Sequence, residues 1–534
     1  QLINWIRQNQ WVIPLLGYLV FAPSLCFILL WKRPLWLLQL NESLENSNVE
    51  LPFLGGFKIS IRTLLFIQWF HYHPRVLDAW VNKHICKARI QFAKKKAVKN
   101  HEVYIPVPIK LNDNPPTELT VEELRSSFDN NRDCLVIWGE GGSGKTNLAC
   151  QIAKWAMSED KTKRLFDYLM IPVLIEQELT SEGKGEQSPL LEAIKGQLSD
   201  ITDNKDDDIS DKFLNYLLRR NRILVIVDHL SEMSEATRKQ ICPARSKEEF
   251  PISKLIVTSR QKQNFAVTGT TIQTQKIYGE KLFSVMQTYL TEKGKALFDE
   301  AECHETCGQL CKLVGKHRNI TVLLARMFAK QKIAAKEGTI EHDGDQSDNI
   351  PDLMISYLNT LNETNQVCGY EKLDDDTVRK DAKIIAWECL KSSYKAEPAK
   401  RQDVLDALGG DNPEKHLNYL EKRLNLIQIT GPAKDKVRFN IELLAEYLAG
   451  LHLVDVYGNN EENWCDFFKN ADTKLGAPNS IQSFLVAVRD CCQAQNGVPH
   501  FVVKELNKRA GVVATEQSLQ MSVVQVEVPL SSLV

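Results

Sequence analysis

The apolar positions of this chain fall into three regimes. Between about residues 115 and 280 they come as short unbroken runs separated by stretches of helical period: Cys134 to Trp138 (CLVIW), Met170 to Ile175 (MIPVLI), Ile223 to Val227 (ILVIV) and Lys254 to Val257 (KLIV). Unbroken runs suit strands covered on both faces, as in a parallel sheet with helices packed above and below. Thr120 and Glu123 have the spacing of a capping box and predict a helix start just before the first of these strands. Strands alternating with helices predict an α/β fold built on a doubly wound parallel sheet. After residue 280 the period turns helical, through NITVLLARMFA within 281–335 and FNIELLAEYLAGLHL within 380–455, with one β-prone segment, LIQITG, between helices.

The amino-terminal regime differs. Trp11 to Trp31 carries no charge over 21 residues and is bracketed by Arg7 on one side and by Lys32 and Arg33 on the other. At ~1.5 Å per residue this matches the ~30 Å hydrocarbon core of a bilayer. Tryptophan at both ends suits the two interfaces, and Pro14 and Pro23 bend such a helix without excluding it. The expectation is a single transmembrane helix, against a buried hairpin or core helix, and against a signal-peptide core, for which the run is long and lacks a clear small-residue cleavage site. The excess of Lys and Arg beyond it, including Lys94, Lys95, Lys96 and Lys99, places the carboxy-terminal side in the cytoplasm. The run from Lys87 to Lys99 reads as a solvated helix face, with contact to anionic lipid as the alternative. Thr63 to Phe70 (TLLFIQWF) is too short to span and is expected to pack locally. The expected division is 1–40 membrane anchor, 41–112 helical and basic linker, 113–280 nucleotide core, 281–345 small helical domain, 346–455 winged helix and 456–534 carboxy-terminal helical segment.

Composition adds limits. A chain of 534 residues exceeds one ordinary core, and 43% hydrophobic with 25% charged residues is a globular balance. A net charge of −2 supplies no global field for nucleic acid, so none is expected as partner. The 13 cysteines lack framework spacing and suit a reducing compartment. A first residue of Gln1 rather than Met suggests a longer parent chain with an effector upstream.

The candidate chemistry lies at the end of the first strand. Gly139, Glu140, Gly141, Gly142, Ser143, Gly144, Lys145 and Thr146 form GxxxxGKT between a strand and a helix-forming stretch, NLACQIAKWAM. Glycines let successive N–H groups turn toward phosphate oxygens, Lys145 adds a mobile positive charge and the Thr146 hydroxyl can ligate Mg²⁺. The loop does not choose between ATP and GTP. Asp228, at the tip of ILVIV, is the metal-holding acid expected on a neighbouring strand. Glu232 is placed to polarise an attacking water, or else is a solvated acid at a helix start. Arg260, just past the end of KLIV, is placed to sense or stabilise a γ-phosphate. The other candidates are structural. Cys303, Cys307 and Cys311, near His304 and His317, make a helical stripe better read as packing than as a metal site. Cys491 and Cys492 read as a buried pair, His229 as a strand-end histidine, and Asp203 to Asp211 as a solvated loop. No protease or nuclease grouping stands out.

The order VIWGEGGSGKT, MIPVLIEQEL, RILVIVDHLSE, KLIVTSR and then FNIELLAEYL resembles the NACHT group of STAND NTPases, signalling switches related to NOD-like receptors, here of prokaryotic type, over about residues 100 to 455. The resemblance implies adenine nucleotides, ADP held in an inactive state under the helical and winged-helix domains, and ATP exchange that opens the protein for self-association. It also implies effector and sensor domains elsewhere. Three departures bear on mechanism. Ser231 replaces an acid of the family's Asp-Gly-x-Asp-Glu, Ile441 stands where relatives carry a winged-helix histidine, and the usual proline is missing around Asn319 and Ile320. The expectation is a switch that hydrolyses ATP slowly, against an AAA+-like motor or loader and a non-hydrolysing nucleotide scaffold.

Overall fold

The apolar runs become the middle of a seven-stranded sheet. The computed structural model describes residues 12–511 apart from short interruptions, the longest being 180–187, 202–208, 242–249, 339–347 and 365–371. Strand β5 (Asp133–Trp138) lies between β9 (Gly269–Thr274) and β8 (Lys254–Ser259), followed by β7 (Ile223–Val227) and β6 (Ile171–Ile175), all parallel. Two further strands, β3 (Pro108–Leu111) and β4 (Thr117–Glu118), extend the other edge antiparallel, β3 on β9 and β4 on β3. Every residue of β6, β7 and β8 is buried, which is why those runs show no alternation. Lys254 is the charged exception, its ammonium donating to the Phe128 carbonyl and lying 4.4 Å from that ring's centroid. The capping box forms, with Thr120 and Glu123 exchanging side-chain and backbone bonds at 3.2 Å.

Three expectations change. The acid strand β7 is not a neighbour of the phosphate-loop strand β5, because β8 lies between them. Strand β9 has no unbroken apolar run; its GTTIQT alternates, burying Thr270, Ile272 and Thr274. The boundary drawn at 112 falls between β3 and β4, which belong to one sheet. The segment before it is equally engaged. Helix Pro74–Lys94 buries Leu77, Trp80, Val81, Ile85, Ala88 and Phe92 in the main core, and Arg222 pairs with its Asp78 at 2.7 Å. Lys95 is not solvated: its ammonium donates to the Leu174 carbonyl at 3.2 Å and also to Gln197, and burial lowers its pKa.

Ahead of that helix, Val12–Lys32 and Pro34–Ser43 share a small separate cluster of Cys26, Leu30, Leu37, Ile67 and Val76 beside an antiparallel hairpin, β1 (Asn48–Leu51) and β2 (Phe57–Ser60). Ile67 is the buried member of the TLLFIQWF segment, whereas Trp69 is exposed. Among the described residues no helix is long and apolar enough to cross a membrane. The expected span runs from Trp11, outside the described residues, into helix Val12–Lys32, where the described side chains begin at Gly17.

Beyond the sheet, helices Gly279–Glu292, Glu300–Val314 and Val322–Lys336 pack together. Next come Ile350–Thr364, Asp375–Leu390, Arg401–Leu408 and Pro413–Lys422, with a three-stranded antiparallel sheet of β10 (Ala399–Lys400), β12 (Lys436–Phe439) and β11 (Ile427–Thr430). Helix Glu442–Tyr457 is buried on nearly every side, as a central helix must be when its sequence is apolar all round. At Gly450 a Cβ would stand 3.1 Å from Cys491 Sγ, so glycine lets helix Gln482–Ala494 approach closely. Helices Glu461–Thr473 and His500–Ala510 complete this region. Cys303 is buried and Cys311 exposed on one helix, Cys491 and Cys492 are buried, and His304 stacks on Phe283. Residues 203–208, His317 and Asn319, weighed above on sequence grounds, lie outside the described residues.

Candidate functional site

The loop after β5 is held from three sides. Gly139 has φ +153° and a Cβ there would meet Thr274 Oγ1 at 2.2 Å, so β9 presses directly on the loop. Ser143 Oγ and Thr274 Oγ1 are 2.6 Å apart. Gly142, at φ +73°, has the left-handed backbone that glycine takes without strain, and its carbonyl accepts from Leu323 N–H at 3.1 Å. Gly144, at φ +92°, caps helix Lys145–Ala156. The residues around the loop are thus Thr274 below, Thr321 to Leu323 from the helical region, and Glu442, whose Oε2 would stand 3.4 Å from a Cβ on Gly141.

Lys145 is buried and its ammonium donates to the carbonyls of Gly139 at 2.9 Å and Glu140 at 2.7 Å. Burial and the nearby Arg260 push its pKa down to about 8, against the pull of Glu232, Asp228 and Glu140. Thr146 Oγ1 donates to Asp228 at 3.0 and 3.1 Å, bringing together the hydroxyl and carboxylate expected to hold Mg²⁺. Asp228 is fully buried. Burial alone would raise its pKa, but His229 and the hydroxyls of Thr258 and Thr146 hold it well below the carboxylate range. Thr258 comes from β8, and its hydroxyl bridges the acid and the His229 N–H. The intervening strand therefore acts as a strut between loop and acid.

Glu232 is not a solvated acid. It sits in the short turn Leu230–Glu232, its side chain 7% exposed, with Arg438 Nη2 donating to Oε2 at 2.7 Å and Arg260 Nε 3.8 Å from Oε1. Burial would raise it, yet Arg438 and then His229 bring its pKa down to about 2. Arg260 turns toward carboxylates: its Nη1 donates to Glu446 at 3.2 Å and its Nη2 to Glu442, both on helix Glu442–Tyr457. Its N–H donates to Ser231 Oγ at 3.1 Å, the position where an acid was expected. His229, taken from sequence as a strand-end histidine, lies at φ +58° with Nε2 3.0 Å from Asp228 Oδ2. Asp228 and Glu232 raise its pKa to about 9 against burial, which would lower it. Sequence reasoning missed Arg438, Glu442 and Glu446. No local spacing ties them to the loop; only the return of the chain over the sheet does.

Strand, glycine loop, lysine, threonine and a buried acid on a parallel sheet define a P-loop NTPase. The NB-ARC domain family matches residues 117–302, and the family described as NACHT C-terminal helical domain 4 matches residues 473–514, within the carboxy-terminal segment where the sequence pattern predicted only helices. The chain is accordingly a NACHT/STAND-type P-loop NTPase. No curated protein matches its sequence. Among solved structures it is similar to a STAND protein with a tetratricopeptide repeat sensor from Pyrococcus horikoshii, at 15% identity and TM-score 0.30 over 76% of this chain and 56% of that one. It thus spans little more than half of that protein's length. RuvB from Thermotoga maritima (12% identity, TM-score 0.26, 60% of this chain and 88% of that one) and PCH-2 of C. elegans (10%, 0.18, 55% and 70%) are also similar.

Proposed function

We propose that the protein is an ATP-binding signalling switch whose winged-helix region closes on the nucleotide site and whose opening permits self-association. The observation that carries this is the double engagement of Arg260, at the end of β8, by Glu442 and Glu446 of the helix that comes after the β11–β12 hairpin. Leu323 N–H on the Gly142 carbonyl makes the second closure, from the helical region. Both contacts lie where nucleotide state is read, so binding that favours one arrangement of these groups shifts the balance between closed and open forms.

The residues present fit a magnesium nucleotide. Lys145 and the loop glycines would hold the phosphates, with Thr146 and Asp228 holding the ion, which supplies charge neutralisation at the phosphates. ADP would belong to the closed form and ATP to the open one. The engagement of Glu232 by Arg438, and of the Ser231 hydroxyl by the Arg260 N–H, supports slow hydrolysis, since a carboxylate committed to a guanidinium is a poor proton acceptor. The same contacts favour a non-hydrolysing scaffold over an AAA+-like motor, which needs Glu232 free. Helix Val12–Lys32, exposing Val20, Phe21, Phe27, Ile28 and Trp31, supports membrane anchoring, and the excess of Lys and Arg beyond it supports a nucleotide core in the cytoplasm. Effector and sensor functions would come from separate domains.

Mass measurement in solution tests the switch. The chain should stay monomeric with ADP and enlarge with ATP, and Lys145→Ala should abolish the change; one unchanged mass in every condition refutes it. Anchoring is read from vesicle flotation, which Val20→Asp with Phe21→Asp should abolish.

A further inference from the structure

Three metal-ligating side chains converge beside the phosphate loop. His229, Glu232 and Glu442 each bring one donor atom to within 4.8 Å of the others'. Nδ1 stands 3.4 Å from Glu232 Oε1 and 3.6 Å from Glu442 Oε1. Both separations exceed the ~2.7–3.2 Å of an N–H···O hydrogen bond. Two donors each ~2.0–2.1 Å from a tetrahedral ion, however, stand about 3.3 Å apart. Glu442 Oε1 is buried and has no hydrogen-bond partner.

The far end of each donor group is already fixed. Glu232 Oε2 accepts from Arg438 at 2.7 Å, Glu442 Oε2 accepts from Arg260, and His229 Nε2 is 3.0 Å from Asp228 Oδ2. A carboxylate on one imidazole nitrogen orients the ring, so that the other nitrogen, once its proton is displaced, can bind a metal.

We propose that His229, Glu232 and Glu442 form a site for a divalent transition-metal ion of the Zn²⁺ type, distinct from the Mg²⁺ position at Thr146 and Asp228. One imidazole nitrogen with two carboxylate oxygens suits Zn²⁺ better than Mg²⁺, and three protein donors leave a fourth position for water. Arg260, Arg438 and Lys145 oppose a dication here, while Asp228 offsets them in part. Two donors come just after β7 and the third belongs to helix Glu442–Tyr457, so the ion would tie the nucleotide core to the winged-helix region. Its entry displaces the proton of Nδ1, releasing it to solvent. The site rests on the closed arrangement proposed above but not on nucleotide binding.

Cobalt titration of the full, chelator-stripped, nucleotide-free chain tests this. One equivalent of Co²⁺ should give the strong visible absorption of a tetrahedral ion, displaced by Zn²⁺ and lacking the near-ultraviolet thiolate band that cysteine ligation would add. Glu442→Gln and His229→Gln should each weaken binding roughly 10-fold or more, whereas Thr146→Ala should keep it. A weak octahedral spectrum, a thiolate band alone, or unchanged binding in Glu442→Gln with native circular dichroism overturns the proposal. Labelled nucleotide binding on the same samples, with Lys145→Ala as control, reports separately on the ATP reading.

Discussion

Lys145 holds a charge that its surroundings resist until phosphate arrives. With a pKa brought down to about 8 from 10.5, its charged form costs folding free energy below about pH 8, a cost that fades as pH rises toward 10.5. A bound polyphosphate reverses the sign of its local field. Nucleotide binding above about pH 8 should therefore take up a proton, and affinity should fall as pH rises through that range. Calorimetry in buffers of different ionisation enthalpy reads the uptake, and a binding heat independent of buffer at pH 9 would refute it. Lys145→Ala removes charge-assisted bonds of ~1.5–3 kcal/mol, hence roughly 10-fold to 100-fold in nucleotide affinity.

Among the elements beyond the sheet, the helix that begins at Val322 touches the loop with its first turn. A Cβ on Gly142 would meet Leu323 Cβ at 2.9 Å at a left-handed φ, so Gly142→Ala is strained and also pushes this helix away. Its expected cost is about 1–3 kcal/mol, read as a lowered Tm. Thr321, whose side chain accepts from Leu324 N–H, caps the same helix, and Thr321→Ala should cost about 1 kcal/mol by the same measurement. Much of this layer was legible in the sequence. CLVIW, ILVIV and KLIV advertise buried strands because an unbroken apolar run needs cover on both faces, and GxxxxGKT fixes the turn between strand and helix. Strand β9 was not legible, because a threonine-rich alternating segment is half-buried and resembles a loop. The insertion of β8 between β5 and β7 was not legible either, since a linear pattern carries no strand order. Glu232 was found by its distance from Asp228 yet misread as solvent-facing in one of its two readings, because its partner Arg438 arrives from another part of the chain.

At the scale of the whole molecule, the closed form proposed above would depend on a few charges shared between the sheet and the segment from β12 to helix Glu442–Tyr457. Arg438→Ala strands Glu232 in a buried site. Breaking such a pair costs about 3–5 kcal/mol when fully buried, and Arg438 is 17% exposed, so the loss should approach the lower figure. Labelled ADP should leave the variant roughly 10-fold faster or more, and small-angle scattering should show a larger radius. An unchanged release rate would refute the role given to this contact. The amino-terminal region has a mechanical consequence. Helix Pro74–Lys94 is buried in the same core as the sheet, and β3 is hydrogen-bonded to β9, the strand whose Thr274 abuts Gly139. A pull on the first helices is therefore met first by the packing of helix Pro74–Lys94 in the sheet's core instead of by a slack tether. Tension at that end would reach the nucleotide as shear.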